Sequence, residues 1–423
     1  MIMIIRKLLK QLDEHLLRKE ISLIIGPRQA GKTTLMRFMK KRLDEQGTST
    51  LFLNLDIEAD QRHFVSQEAF LQKIRLEIGD RKGYIFIDEI QRKENAGLFL
   101  KGLQDMDLPH KFVVSGSGSL ELKEKIHESL VGRKRIFELN PLSFSELADH
   151  RTQSRYEERL SEYLRLEPEK TNLLLNEYLA FGGYPRVVLA ATSAEKQMEM
   201  AEIYQSYLEK DIAYFLQLKK TESLSKLIKA LAARPGGLVN VSELSSELGI
   251  ASQTVKDYLW YLEKTFIIRK ATPFFGNIRK EIRKAPLCYF YDLGLRNYAV
   301  GAFGRSDTRE EGFLFQNLVF NDMKDVLAST SVGIHFWRTA DQAEVDFVLD
   351  YGRERIPVEV KDSELKKPSV PRGLRSFILR YKPARAYLVN RSLRNTIEID
   401  GTKLVFLPFY EWPEELTALV HSR

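Results

Sequence analysis

The chain has 423 residues, too many for one ordinary hydrophobic core, so several domains are expected. Hydrophobic residues make up 43% and charged residues 29%, and no apolar run approaches the roughly 20 residues a membrane helix needs, so no membrane partner is expected. Cys288 is the single cysteine, which excludes an intrachain disulfide and a cysteine-rich zinc site.

The opening MIMIIRKLLKQL lacks an adequate apolar core and a small-residue cleavage site, so no signal peptide is expected and a cytoplasmic location is the default. Residues 1–150 then alternate buried-strand runs (ISLIIG, STLFLNLD, GYIFIDE, HKFVVSGS, RIFELN) with amphipathic helical stretches such as GKTTLMRFMKKRLDEQG, closed by Gly47. That alternation predicts an α/β domain with a mostly parallel sheet.

Within it, GPRQAGKT fits G-x-x-x-x-G-K-[ST] at every fixed position, after an apolar strand and before a helix. Gly26, Pro27, Arg28, Gln29, Ala30, Gly31, Lys32, Thr33 and the following Thr34 are therefore expected to hold ATP. The glycines let backbone N–H groups turn toward phosphate, and the helix start adds partial positive charge. Lys32 would reach the β- and γ-phosphates and Thr33 would hold Mg²⁺. YIFIDEIQ supplies a second strand ending in two acids, Asp88 as a Mg²⁺ ligand through water and Glu89 as general base. Ser115 or Ser117, after the third strand, is a candidate sensor of the γ-phosphate, with ordinary turn chemistry as the alternative. Arg133 stands just before the strand RIFEL, placed either to neutralise phosphate charge or to pair with a surface acid.

Residues 151–220 read as helical, with a turn at Gly182, Gly183 and Pro185. Residues 221–275 read as helix, turn, helix, turn, helix and strand, the pattern of a winged helix. Gln253, Lys256 and Lys270 are its candidate DNA contacts, although such modules also bind proteins. Residues 276–423 form a mixed α/β region. Two basic clusters suit phosphate backbones, one at Arg279, Lys280, Arg283 and Lys284, the other with ten Lys/Arg against two acids from Lys361 to Arg394.

In the last region AEVDFVLD and RIPVEVKD flank YGRE. An antiparallel hairpin with that four-residue loop sets Asp350 opposite Arg355, and every pair of positions then sums to 705. Asp346 falls opposite Glu359, with Lys361 beside it. Two carboxylates about 5 Å apart repel unless a cation lies between them, so the three form a candidate Mg²⁺-dependent nuclease site of the D…ExK kind.

GPRQAGKTTL, FIDEIQ, SGSGSLEL, LVGRKRIFELNPLSFSEL, GGYP, LEKDI and APLCYFYDLGLRN occur in that order, and together they make the chain resemble the prokaryotic AAA-type (AAA+) ATPases with a C-terminal domain of unknown function. The resemblance covers nearly the whole chain. It implies an ATPase core, a helical lid, a winged helix and a terminal domain similar to PD-(D/E)XK nucleases, working as a homo-oligomer, with a hexameric ring as one form. It also implies that Arg133 reaches a neighbouring subunit's nucleotide. Relatives read LFEN where this chain reads LFQN, so Gln316 stands where the nuclease fold uses an acid. The leading expectation is an ATP-hydrolysing protein that grips DNA, branched forms included, as a motor or remodeller. An ATP-gated nuclease and a nucleotide-dependent switch binding a protein partner are the alternatives.

Overall fold

The computed structural model describes residues 4–117, 130–207, 222–234, 236–274, 285–305 and 310–421. The basic cluster at Arg279 to Lys284, the LEKDI segment and the side chain of Ser117 lie outside them. Among the described residues, no helix is long and apolar enough to cross a membrane.

The N-terminal unit is built on a parallel sheet of β1 (Ile21–Gly26), β2 (Thr50–Asn54), β3 (Tyr84–Asp88), β4 (Lys111–Ser117) and β5 (Lys134–Glu138), in the order β2-β3-β4-β1-β5. β1 and β3 are buried along their whole length, as the strands of a parallel sheet covered on both faces must be. One face packs Leu23, Ile25, Ile85 and Ile87 against Phe70, Ile74, Leu100 and Leu103. The other packs Ile24, Phe86 and Val113 against Leu35, Met36 and Met39, three apolar residues at helical spacing on Lys32–Glu45.

Residues 144–206 are helical: Phe144–Arg151, Leu160–Leu166, Pro168–Phe181, Pro185–Leu189 and Ser193–Ser206. Pro168 and Pro185 each start a helix, where a missing N–H costs nothing. Gly183 between them is wedged against the Leu142 backbone, where a Cβ would lie 2.1 Å from its carbonyl oxygen.

Three helices follow, Glu222–Ala232, Val241–Leu248 and Ser252–Lys264. Asn240 caps the second by accepting from Ser242 and Glu243 N–H, and Gly249 ends it at φ 65°. The third buries Val255, Tyr258, Leu259 and Leu262, which leaves Gln253 and Lys256 exposed. Next, β6 (Ile268–Pro273) pairs antiparallel with β7 (Leu287–Phe290), while Leu238 makes an isolated bridge to Leu287. β6 also runs parallel to β8 (Gly333–Arg338), so the strand closing the 221–275 segment belongs to the C-terminal sheet.

That sheet has eight strands in the order β12-β13-β11-β10-β9-β8-β6-β7, with β9 Glu344–Asp350, β10 Arg355–Lys361, β11 Arg385–Asn390, β12 Asn395–Ile399 and β13 Thr402–Pro408. The β9–β10 pairs are Arg355 with Asp350, Ile356 with Leu349, Pro357 with Val348 and Val358 with Phe347, which is the register expected from the loop length. Helix Glu311–Val326 covers one face through Leu314, Phe315, Leu318 and Val319. Helix Arg372–Tyr381 packs Leu374, Phe377 and Ile378 on the other.

Candidate nucleotide site and C-terminal carboxylate pair

The carboxyl ends of β1 and β3 lie two strands apart in the sheet, separated by β4, and a cavity of about 450 Å³ opens there. Arg28 to Leu35 line it, with Ile4, Arg6, Asp56, Glu89 and Arg92 from the same unit and Pro185, Arg186, Leu189 and Ser206 from the helical region. The loop needs unusual backbone to make this turn. Gly26 has φ 154° and Gly31 φ 98°, and a Cβ on Gly26 would lie 2.2 Å from the Leu139 carbonyl oxygen. Gln29 takes the left-handed region without being glycine, at φ 58°.

Lys32 is buried, and its ammonium donates to the carbonyls of Gly26 (2.9 Å) and Pro27 (2.8 Å). Thr33 Oγ1 donates to Asp88 Oδ2 at 2.7 Å. Asp88 is fully buried and also accepts from the Ser115 hydroxyl and, at 3.5 Å, from Asn54 Nδ2. Glu89 lines the cavity from a left-handed backbone (φ 58°), its carboxylate held by Gln91 and its N–H donating to Ser115 Oγ. Ser115 is itself fully buried, with its hydroxyl between Asp88 and the Glu89 backbone, so it orients the two acids and does not line the cavity.

Arg133 sits at the other end of the sheet. Its carbonyl accepts from Ile21 N–H at the start of β1, about 17 Å of strand away from the phosphate loop. Its side chain donates to Asp105 at 2.6 Å and is more than a third exposed. It is not among the residues lining its own chain's cavity.

Two arginines in the cavity wall were not expected from sequence. Arg186 donates to Gln29 Oε1 of the phosphate loop at 3.2 Å and is also bound by Glu199 and Glu202. Its signal was the charge following the GGYP turn. Arg6 is buried and bonds the Ala30 carbonyl, the Asn140 carbonyl and Glu146. No local pattern marks it.

In the C-terminal sheet the ladder between β9 and β10 stops at Val358–Phe347, one position before Asp346 and Glu359. A bulge between β8 and β9 lies at the same place. Asp346 Oδ2 accepts from Val360 N–H at 2.7 Å, and Oδ1 accepts from Gln316 Nε2 at 2.6 Å. Glu359 is 4% exposed; Oε1 pairs with Lys361 at 2.8 Å, and Oε2 is without a hydrogen-bond partner. Burial first, then the Glu359 carboxylate, raise the Asp346 pKa. Burial likewise raises Glu359, against the pull of Lys361. The three residues expected to meet do meet, with Gln316 donating an amide hydrogen where an acid was looked for. Among the described residues, no group of three or more His, Cys, Asp or Glu is arranged to hold a metal ion.

Of the candidate DNA contacts, Lys256 is exposed, Gln253 donates to Asp257 at 2.8 Å, and Lys270 pairs with Glu263 at 2.9 Å. The stronger basic surface lies elsewhere. Lys366, Lys367, Arg372, Arg375, Arg380 and Lys382 are all exposed, on or beside helix Arg372–Tyr381. That helix starts against β9: a Cβ on Gly373 would lie 1.9 Å from the Glu344 carbonyl oxygen.

Among proteins of known sequence, the chain is 27% identical over 383 residues to the uncharacterized protein Rv2008c of Mycobacterium tuberculosis, covering 90% of this chain and 78% of that one. It is 26% identical to an uncharacterized protein of Haemophilus influenzae (92% and 93% covered) and 24% to the uncharacterized protein MJ1544 of Methanocaldococcus jannaschii (95% and 90%). Among solved structures it has a slight likeness to the replication initiator DnaA bound to AMPPCP and single-stranded DNA (14% identity, TM-score 0.28, 62% of this chain and 90% of that one). Cdc6p from Pyrobaculum aerophilum is similar at 13% identity and TM-score 0.28, over 75% and 96%. Residues 172–306 match the family model described as domain of unknown function DUF8612, and residues 311–410 that described as domain of unknown function DUF4143. Residues 18–148, which carry the phosphate loop, Asp88, Glu89 and Arg133, match the AAA domain.

Proposed function

We propose that this chain binds and hydrolyses Mg·ATP at the cavity beside the phosphate loop. The observation that carries the reading is convergence: Lys32, Thr33 and Glu89 line one cavity at the carboxyl ends of two parallel strands, with Asp88 bonded to Thr33 behind them. The donor set fits Mg²⁺, since Thr33 Oγ1 and Asp88 are hard oxygen ligands already in contact. When bound, the ion would neutralise phosphate charge. Lys32 would leave the Gly26 and Pro27 carbonyls for the β- and γ-phosphates, and Glu89 would orient the attacking water. Steady-state phosphate release from Mg·ATP tests this; wild-type turnover no faster than that of Lys32→Ala would refute it.

The same reading assigns Arg133 to a neighbouring copy, in a ring or stack, because it sits a sheet-length from its own cavity. It further assigns DNA as the partner, read through the three-helix and β6–β7 unit as a winged helix and gripped by the basic surface of helix Arg372–Tyr381. The six exposed cations there favour a polyphosphate backbone. DNA-stimulated ATPase activity, with binding that weakens steeply with salt, is the expected result. Turnover indifferent to single-stranded, duplex and branched DNA would count against it.

For the carboxylate pair, a nuclease-like scaffold without cleavage is the better reading, because Gln316 already spends a donor on Asp346. Loss of intact DNA in the same Mg²⁺-containing samples would overturn it.

A further inference from the structure

We propose that Arg6 is a positioning residue that locks the phosphate loop in its anion-accepting form. The proposal rests on the ATP-binding reading and goes beyond it by naming what holds the loop. Arg6 lies 24 residues before Ala30 and outside the segment that matches the AAA domain.

The geometry of a trans peptide supplies the argument. Its C=O and the next N–H point in opposite directions across one plane. Arg6 Nη1 donates to the Ala30 carbonyl at 2.9 Å, so that carbonyl is held on the Arg6 side. The same peptide's N–H, that of Gly31, is thereby turned the other way. Ala30 is fully buried, and it is flanked on both sides by departures from ordinary backbone, Gln29 at φ 58° and Gly31 at φ 98°. A loop so contorted would relax without an external tie.

Arg6 is well suited to be that tie because it is fixed at its other corners. Nη2 donates to the Asn140 carbonyl at 2.6 Å and Nε to Glu146 at 3.2 Å. Glu146 is fixed in turn, accepting from Lys7 N–H at 2.8 Å and Ser143 N–H at 3.0 Å as part of the capping box of helix Phe144–Arg151. Although burial opposes it, the Arg6 charge and these N–H groups hold the Glu146 carboxyl below its ordinary pKa. A planar guanidinium spreads its donors in a fixed fork across three separated acceptors, whereas a lysine offers its three donors from a single nitrogen.

The test uses the full chain with Mg²⁺ and N-methylanthraniloyl-ADP, on wild type, Lys32→Ala, Arg6→Gln and Arg6→Lys, with thermal midpoints recorded on every sample. Arg6→Gln should raise Kd by about tenfold or more, since a lost charge-assisted hydrogen bond leaves a buried carbonyl unpaired. In turnover it should raise KM more than it lowers kcat. Arg6→Lys should recover part of the affinity, and it decides the matter if Arg6→Gln does not fold. The Gly31 amide proton should shift on ligand addition in wild type and less in Arg6→Lys. Folded Arg6 variants that bind as wild type does, with an unchanged Gly31 shift, would overturn the proposal while leaving ATP binding intact. Wild type binding no better than Lys32→Ala would instead remove the ATP reading, and the proposal with it.

Discussion

The Thr33 hydroxyl and the Asp88 carboxylate are 2.7 Å apart, which ties the first turn of helix Lys32–Glu45 to the end of β3. Asp88→Asn keeps the size and most hydrogen bonds and removes the charge. Nucleotide binding in the absence of Mg²⁺ should survive, while the tightening that Mg²⁺ brings is lost. Paired nucleotide titrations with and without Mg²⁺ check this, and equal Mg²⁺ enhancement in both proteins would contradict it.

Glu89 stands beside the cavity with its backbone already in a costly left-handed conformation. Glu89→Gln should bind Mg·ATP as wild type does and lose about 10²- to 10⁴-fold in kcat, the range for removing a general base. Single-turnover kinetics separate the two effects.

Arg133, paired with Asp105 at the far end of the sheet, should leave binding untouched when changed to alanine. If it serves a neighbour, kcat should fall by up to about 10³-fold. Wild-type specific activity should also rise with protein concentration. A variant as active as wild type at every concentration would exclude the role.

Gln316→Glu would place a third carboxyl beside Asp346 and the unpartnered Oε2 of Glu359. Without nucleotide, Mg²⁺ should then stabilise the variant by about 2–3 kcal/mol at a hundredfold excess over its Kd, and leave wild type unchanged. Thermal midpoints with and without Mg²⁺ give the answer directly.

His15 is 5% exposed, with Nδ1 near Ser22 Oγ and the Lys111 ammonium. Burial, then the Lys111 charge, push its pKa down from 6.5 to about 4. The unfolded chain therefore binds more protons between those values, so stability is full above pH 6.5 and falls as pH drops toward 4. The loss attributable to His15 is roughly 3 kcal/mol, and His15→Gln should flatten that part of the urea-unfolding profile.

The N-terminal sheet was readable because its buried strands β1 and β3 are short, largely apolar runs and the phosphate-loop motif fixes its own context. The β9–β10 register followed from a loop length alone, since pairing positions in a hairpin have a constant sum. What escaped were contacts made across long stretches of chain. Arg6 reaches Glu146 over 140 positions and Arg186 reaches Gln29 over 157, and no periodicity encodes either. Ser115 shows a subtler limit: a serine after a strand is visible, but whether its hydroxyl turns to the cavity or to Asp88 depends on packing. The pairing of Gln253 with Asp257, four apart on one helix, was by contrast within reach of the sequence.

β6 belongs at once to the hairpin behind helix Ser252–Lys264 and to the eight-stranded sheet, through pairs such as Ile268 with Phe290 and Thr272 with His335. Arg269 on that strand reaches back to Glu138 at the end of β5 and to Asp325, which in turn accepts from Asn140. A strand shared in this way leaves no free linker between the two, because residues 268–271 pair with β7 and residues 272–273 pair with β8. The three-helix unit is thus joined to the sheet that carries helix Arg372–Tyr381 by paired backbone, and Arg269 fastens that junction to the end of β5.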